Sequence, residues 1–369
     1  MKDIRARKFA QIMVDHSTRV RPGDRVAVTA TTAVEPILLA LYELILERGG
    51  YPHFLIDLPS QEELLFAHAS NEQLEFVPLF HQSAFGEFDV LIKIRSELNT
   101  RSLSSVPPKR LSHRQKATAS LIKKQMQRGA EGSLRWLSTQ YPTPAYAMEA
   151  DMGFEEYSDF FFRACHADED TPDPVAHWQG IEREQKHIID AIQGHNQVTV
   201  RGPNADLNLS ILGRKFNNAC GQRNLPDGEI FTGPVENSVN GWVRFSYPAI
   251  YQGRVVEGIE LKFVDGRVIE ASATKNQDVL LNMLDIDAGA RYVGEFAIGT
   301  NFEINRFTHS ILLDEKIGGS FHMALGAGYP ETGSLNKSLI HWDMICDLRQ
   351  DSEIIVDGET FYRNGEFMI

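Results

Sequence analysis

The sequence predicts an α/β chain in two parts: an N-terminal α/β domain with a mostly parallel sheet, then a β-rich α+β domain. Two observations predict it. The first third alternates short β-branched strands with amphipathic helices, the pattern of β-α-β units. Beyond about residue 190 the pattern becomes short strands divided by turn signals.

Arg21-Pro22-Gly23-Asp24 is a turn, and Arg25 to Ala30 is a short strand behind it. From Glu35 to Arg48 the apolar residues Ile37, Leu38, Leu41, Leu44 and Ile45 recur at helical spacing. Gly49-Gly50 ends that helix, and Tyr51 to Asp57 is a second strand. Val90 to Ile94 reads as a later strand of the same sheet. No Gly-x-Gly-x-x-Gly follows the first strand, so a dinucleotide site is not expected. Ser102 to Gly129 carries Lys109, Arg110, Arg114, Lys116, Lys123, Lys124 and Arg128, read as a solvated helix face. Asp173 to Gly194 is a long helix with Asp173-Pro174 at its start, and Gln197 to Val200 begins the β-rich part. The domains are therefore set at 1–190 and 191–369. Further strands are expected at Gly241–Ser246, Gly253–Phe263, Arg267–Ala273 and Ile354–Val356, with a helix at Gln277–Leu284.

With 369 residues, 42% of them hydrophobic and 24% charged, the chain has the composition of a globular protein with a large core. A net charge of −13 argues against nucleic acid or an anionic membrane as partner. Cys165, Cys220 and Cys346 are few, far apart and odd in number, which suits a reduced cytoplasmic setting. The start has charge but no apolar run behind it, so no signal peptide is expected. No run reaches the roughly 18 apolar residues of a membrane span.

The C-terminal part gathers good metal ligands: Glu229, Glu295, His322, His341 and Asp343. His341-Trp342-Asp343 is the sharpest piece. Alternate strand residues share a face, so His341 and Asp343 can grip one cation while Trp342 points away. Glu229 starts a strand after a turn; alone, it reads as a solvated carboxylate. Glu295 lies among apolar and small residues, where a buried charge needs a metal, a paired base or a structural salt bridge. His322 alone reads as a satisfied core histidine. Gly328-Tyr329-Pro330-Glu331-Thr332-Gly333 lacks the lysine of a phosphate loop, and there is no His-Glu-x-x-His and no Gly-x-Ser-x-Gly.

Together these segments resemble the thermophilic aminopeptidase T family, the M29 metallo-aminopeptidases. The resemblance is carried by Pro226-Asp227-Gly228-Glu229-Ile230-Phe231-Thr232, by Gly294-Glu295-Phe296-Ala297-Ile298-Gly299, by His322-Met323-Ala324-Leu325-Gly326 with Tyr329-Pro330, and by Ser338-Leu339-Ile340-His341-Trp342-Asp343. Pro22-Gly23-Asp24 and Thr143-Pro144-Ala145-Tyr146-Ala147 extend it into the N-terminal part.

The resemblance implies a homodimeric enzyme that takes peptides with a free N-terminus. It implies two divalent ions (Zn, Co or Mn) held by Glu229, Glu295, His322, His341 and Asp343. It gives Tyr329 a catalytic role, as donor to the oxyanion, and makes Glu315 an extra ligand or the general base. The chain departs from the pattern around Gly318-Gly319, which is longer, and between Tyr329 and His341, which is shorter. Three other readings stand beside this one: another dinuclear-metal hydrolase, such as an esterase or phosphatase; a catalytically silent metal- or peptide-binding homologue; and a nucleotide-binding protein built on the N-terminal parallel sheet, against which the missing Gly-rich loop weighs.

Overall fold

The structure is a computed structural model that describes residues 3–251 and 253–369. The chain forms two compact units, Met1–Gln179 with Gly221–Pro226, and Gly180–Cys220 with Asp227–Ile369.

The first unit is built on a five-stranded sheet. Arg25–Thr31 pairs in parallel with Tyr51–Asp57 on one side and Val90–Arg95 on the other. Arg135–Gln140 continues the sheet in parallel, and the two-residue strand Asn224–Leu225 completes it. The helix expected after the first strand runs Glu35–Glu47 and buries Ile37, Leu38, Leu41, Leu44 and Ile45.

The basic segment forms the helix Pro108–Ala130, in which only Leu121 and Gln125 are buried. Its arginines do more than meet solvent. Arg110 donates to the carbonyls of Phe66 and Ala69, Arg114 to those of Leu74 and Phe76, and Arg128 to those of Phe85 and Phe88. These carbonyls lie at the C-terminal ends of three short helices, Gln61–His68, Asn71–Glu75 and Leu79–Glu87. Guanidinium donors satisfy carbonyls that a helix end leaves unpaired, and their charge suits its negative pole.

The long helix runs Pro174–Ile192, with Asp173 Oδ1 accepting the N–H groups of Val175 and Ala176.

The second unit holds an eight-stranded sheet and a five-stranded antiparallel sheet. The segment Gly253–Phe263, expected as one strand, is two: Arg254–Val256 and Glu260–Val264. Gly258 breaks it, at φ 63°, where a Cβ would sit 2.5 Å from Thr274 Oγ1.

The five-stranded sheet runs in the order His341–Asp347, Ser320–Gly326, Val293–Gly299, Glu229–Thr232, Asn217–Ala219. Its period-two alternation separates two chemistries. Ile230, Phe296, Ile298, Phe321, Met323, Leu325, Trp342, Met344 and Cys346 belong to one hydrophobic core with residues of the larger sheet such as Val198, Leu207 and Leu261. The intervening residues form the opposite face.

Among the described residues, no helix is long and apolar enough to cross a membrane. Cys165, Cys220 and Cys346 are buried and form no disulfide.

Candidate metal centre

Strand register brings the five expected ligands to one face. Glu295 pairs across to Ala324, and Ala324 to Asp343. Ala297 pairs with His322, Gly299 with Glu229, and Gly326 with His341. Directly paired residues project to the same side, so the ligands are interleaved with alanine and glycine. Ala297 and Ala324 leave room above the sheet for the long side chains to converge. His341 and Asp343 do share a face, and Trp342 is buried in the core behind them.

The converging atoms form two sets around one carboxylate. Glu295 Oε2 lies 3.2 Å from His341 Nε2, which is 3.4 Å from Asp343 Oδ1. Glu295 Oε1 lies 3.7 Å from His322 Nε2, which is 3.4 Å from Glu229 Oε2. Donor atoms of Glu229, Glu295 and His322 lie within 4.8 Å of one another, as do those of Glu295, His341 and Asp343. A third set with the same spread joins Glu315, His322 and Asp343.

The residues fit a divalent cation by their chemistry. Glu229 Oε2 and Asp343 Oδ1 are buried and accept no hydrogen bond. Leaving such acceptors unmet is costly unless a cation meets them. His341 Nδ1 lies 2.7 Å from the Ala327 carbonyl. A proton on Nδ1 donates there, which leaves the Nε2 lone pair aimed at the carboxylates.

Burial is steep across the site. Glu229, Glu295 and His322 are 4%, 3% and 1% exposed. The His341 side chain is 28% exposed and Tyr329 is 38% exposed. The Tyr329 ring meets His341 edge-on at 5.2 Å and lies 5.3 Å from Phe231. His341 and Tyr329 therefore mark the open side.

Burial, only partly countered by Lys316 and His322, pushes Glu229 up to about 8. Burial would lower His322, yet Glu295, Glu229 and Asp343 raise it to about 9. His341 is raised against its burial by Asp343 and Glu295. Burial would raise Asp343, but His341 draws it down to about 2. Glu295 is likewise drawn below the usual range, against burial, by the two imidazoles. Glu315 is raised by burial despite Lys316. Desolvation, then the carboxylates of Glu295 and Asp343, raises the Tyr329 phenol, so it stays a hydrogen-bond donor.

Two residues escaped the sequence reading as members of the centre, Lys316 and Asp227, each 1% exposed. Lys316 contacts Glu229 and Glu315 at 2.5 and 2.7 Å. A signal was there: a lysine between Leu312-Leu313 and Ile317 cannot stay buried without carboxylates.

The family model of the thermophilic metalloproteases (M29) matches residues 2–367. Aminopeptidase 2 of Geobacillus stearothermophilus is 27% identical, over 98% of this chain and 97% of its own. The solved structure of wild-type AmpT from Thermus thermophilus superposes with a TM-score of 0.86 at 24% identity, over 99% of both chains. A more distant likeness, to 2,5-dihydroxypyridine dioxygenase of Pseudomonas putida KT2440, has a TM-score of 0.58 at 12% identity, over 99% of this chain and 96% of that one. These structural likenesses show the α/β architecture, and they show that the fold alone does not select a reaction. The family match over nearly the whole chain does: the chain belongs to the M29 thermophilic metalloproteases, metal-dependent hydrolases whose relative here is an aminopeptidase.

Proposed function

We propose that this M29 metallo-aminopeptidase removes N-terminal residues from peptides at a centre of two divalent ions that share Glu295. The observation that carries the reading is the division of five donors into two sets around that one carboxylate. Charge supports it. With the carboxylates of Asp227, Glu229, Glu295, Glu315 and Asp343 ionised and both imidazoles neutral, as metal ligation requires, five negative charges would face the one ammonium of Lys316, a net of four. Two divalent ions balance that charge. Carboxylates and imidazoles suit Zn, Co and Mn alike.

When bound, the ions supply Lewis-acid polarisation of a carbonyl and a water acidic enough to attack near neutral pH. The chain's own groups do the rest. Glu229 and His322 would hold one ion, His341 and Asp343 the other, with Glu295 between. Tyr329, on the open side, donates its hydroxyl hydrogen bond to the oxygen that becomes negative in the transition state. Such a donor is worth about 2.7–4 kcal/mol. Glu315, next to the ligand set, takes the proton from the attacking water and delivers it to the leaving amine. The surplus of carboxylates also suits a substrate's α-ammonium, which restricts cleavage to a free N-terminus.

The catalytic work falls to residues 191–369, which contain every ligand. Access and dimerisation fall to residues 1–190, and the homodimer rests on the family resemblance. Buried cysteines that form no disulfide suit a cytoplasmic setting.

The test is hydrolysis of a leucyl chromogenic amide by metal-depleted protein, before and after Co²⁺, Mn²⁺ or Zn²⁺ is restored. Metal-dependent amide release is expected. Turnover of phosphate or carboxyl esters with none of the amide would replace this reading with another dinuclear hydrolase.

A further inference from the structure

Lys316 is 1% exposed and sits in a shell of carboxylates. Its Nζ lies 2.5 Å from Glu229 Oε1, 2.7 Å from Glu315 Oε1 and 3.6 Å from Asp227 Oδ1. An ammonium has three donors and no acceptor; Lys316 donates to Glu229 and Glu315, and Asp227 stands just beyond hydrogen-bond distance as a third negative neighbour. The two short contacts approach the roughly 2.3–2.6 Å at which oxygen ligands hold a Ca²⁺ ion. Glu229 is thereby divided. Its Oε1 is committed to Lys316, and its Oε2 accepts no hydrogen bond and faces His322.

The backbone fixes the lysine at this point. Its N–H donates to the Leu313 carbonyl at 2.9 Å, and its carbonyl accepts the Asn301 N–H at 3.1 Å. Asn301 Nδ2 in turn donates to the Asp227 carbonyl at 2.9 Å. Gly228, at φ 124°, permits that approach, since a Cβ there would come 2.8 Å from Asn301 Cβ.

We propose that Lys316 is a built-in cation of the metal centre. It is a positioning residue that leaves Glu229 only Oε2 to offer a metal and keeps a further divalent ion out of the Asp227, Glu229 and Glu315 carboxylates. The proposal rests on the two-ion reading above, and one experiment separates the two. Metal-depleted wild type, Lys316→Ala and Lys316→Arg are dialysed against Mn²⁺, which suits an all-oxygen site, and bound Mn per chain is measured by elemental analysis. Circular dichroism follows folding with and without Mn²⁺.

The wild-type count tests the two-ion reading; the difference between variants tests Lys316. Lys316→Ala is expected to hold one more Mn²⁺ per chain than wild type, and Lys316→Arg the wild-type number. If Lys316→Ala folds only with Mn²⁺, a count one above wild type still supports the proposal. An unchanged or lower count in Lys316→Ala, an extra ion in Lys316→Arg, or no folding of Lys316→Ala even with Mn²⁺ would overturn it.

Discussion

Loading the metal-free protein with a divalent ion is expected to expel about two to three protons per chain near pH 7. His322 is raised to about 9 and Glu229 to about 8, and His341 is raised above its ordinary value by Asp343 and Glu295. His322 and Glu229 are therefore mostly protonated at pH 7, and the upward shift of His341 acts in the same direction. Metal ligation needs a neutral imidazole and an ionised carboxylate, so binding and proton loss are linked. Each proton released adds a factor of about ten to the apparent affinity per pH unit, or about 1.4 kcal/mol. Below pH 8 the affinity should thus climb about a hundredfold to a thousandfold per pH unit. Isothermal calorimetry with Mn²⁺, in buffers of different ionisation enthalpy, counts the protons directly. Release of less than about one proton, or an affinity flat between pH 6 and 8, would refute the assignment of these three groups as ligands.

Other perturbations have equally definite outcomes. His341→Ala should leave a folded chain, because His341 lies on the open side of the sheet, yet lower kcat/KM by more than about a hundredfold; normal turnover after metal reloading would remove it from the site. Tyr329→Phe should lower kcat by about a hundredfold to a thousandfold at unchanged metal content, and loss of metal instead would make Tyr329 a ligand. Ala324→Leu places bulk between Glu295 and Asp343 and should abolish metal uptake, at a stability cost of about 1–3 kcal/mol. Trp342→Ala, on the core face, should instead cost about 3–5 kcal/mol and be read by thermal denaturation. The metal-free protein should also lose stability as pH rises from about 4.5 to 9, Glu229 acting from about 4.5 to 8 and His322 from about 6.5 to 9. His322 and Glu229 both bind their protons more tightly folded than unfolded, so their contribution is present at low pH and lost through their folded values.

The sequence carried the fold where periodicity was clean. The β-α-β unit at Arg25–Asp57 and the strand alternation of His341-Trp342-Asp343 are local patterns, and both recur in the structure. It failed where a single backbone conformation decided the outcome, as at Gly258, which splits one expected strand into two. It also missed what long-range contacts decide. The arginines of Pro108–Ala130 find helix ends some forty residues away, which charge along one helix cannot reveal. At the centre, the five ligands were legible because each sits at a strand position with its own local block. Their common face depends on cross-strand register, and the ring of carboxylates around Lys316 depends on a turn that returns to Asp227. Neither leaves a periodic signal.

The most direct measurement of the shared-carboxylate centre is anomalous diffraction from Mn²⁺-loaded crystals. Two peaks are expected, one beside Glu229 and His322 and one beside His341 and Asp343, with Glu295 between them. A single peak, or peaks away from these five residues, would contradict it.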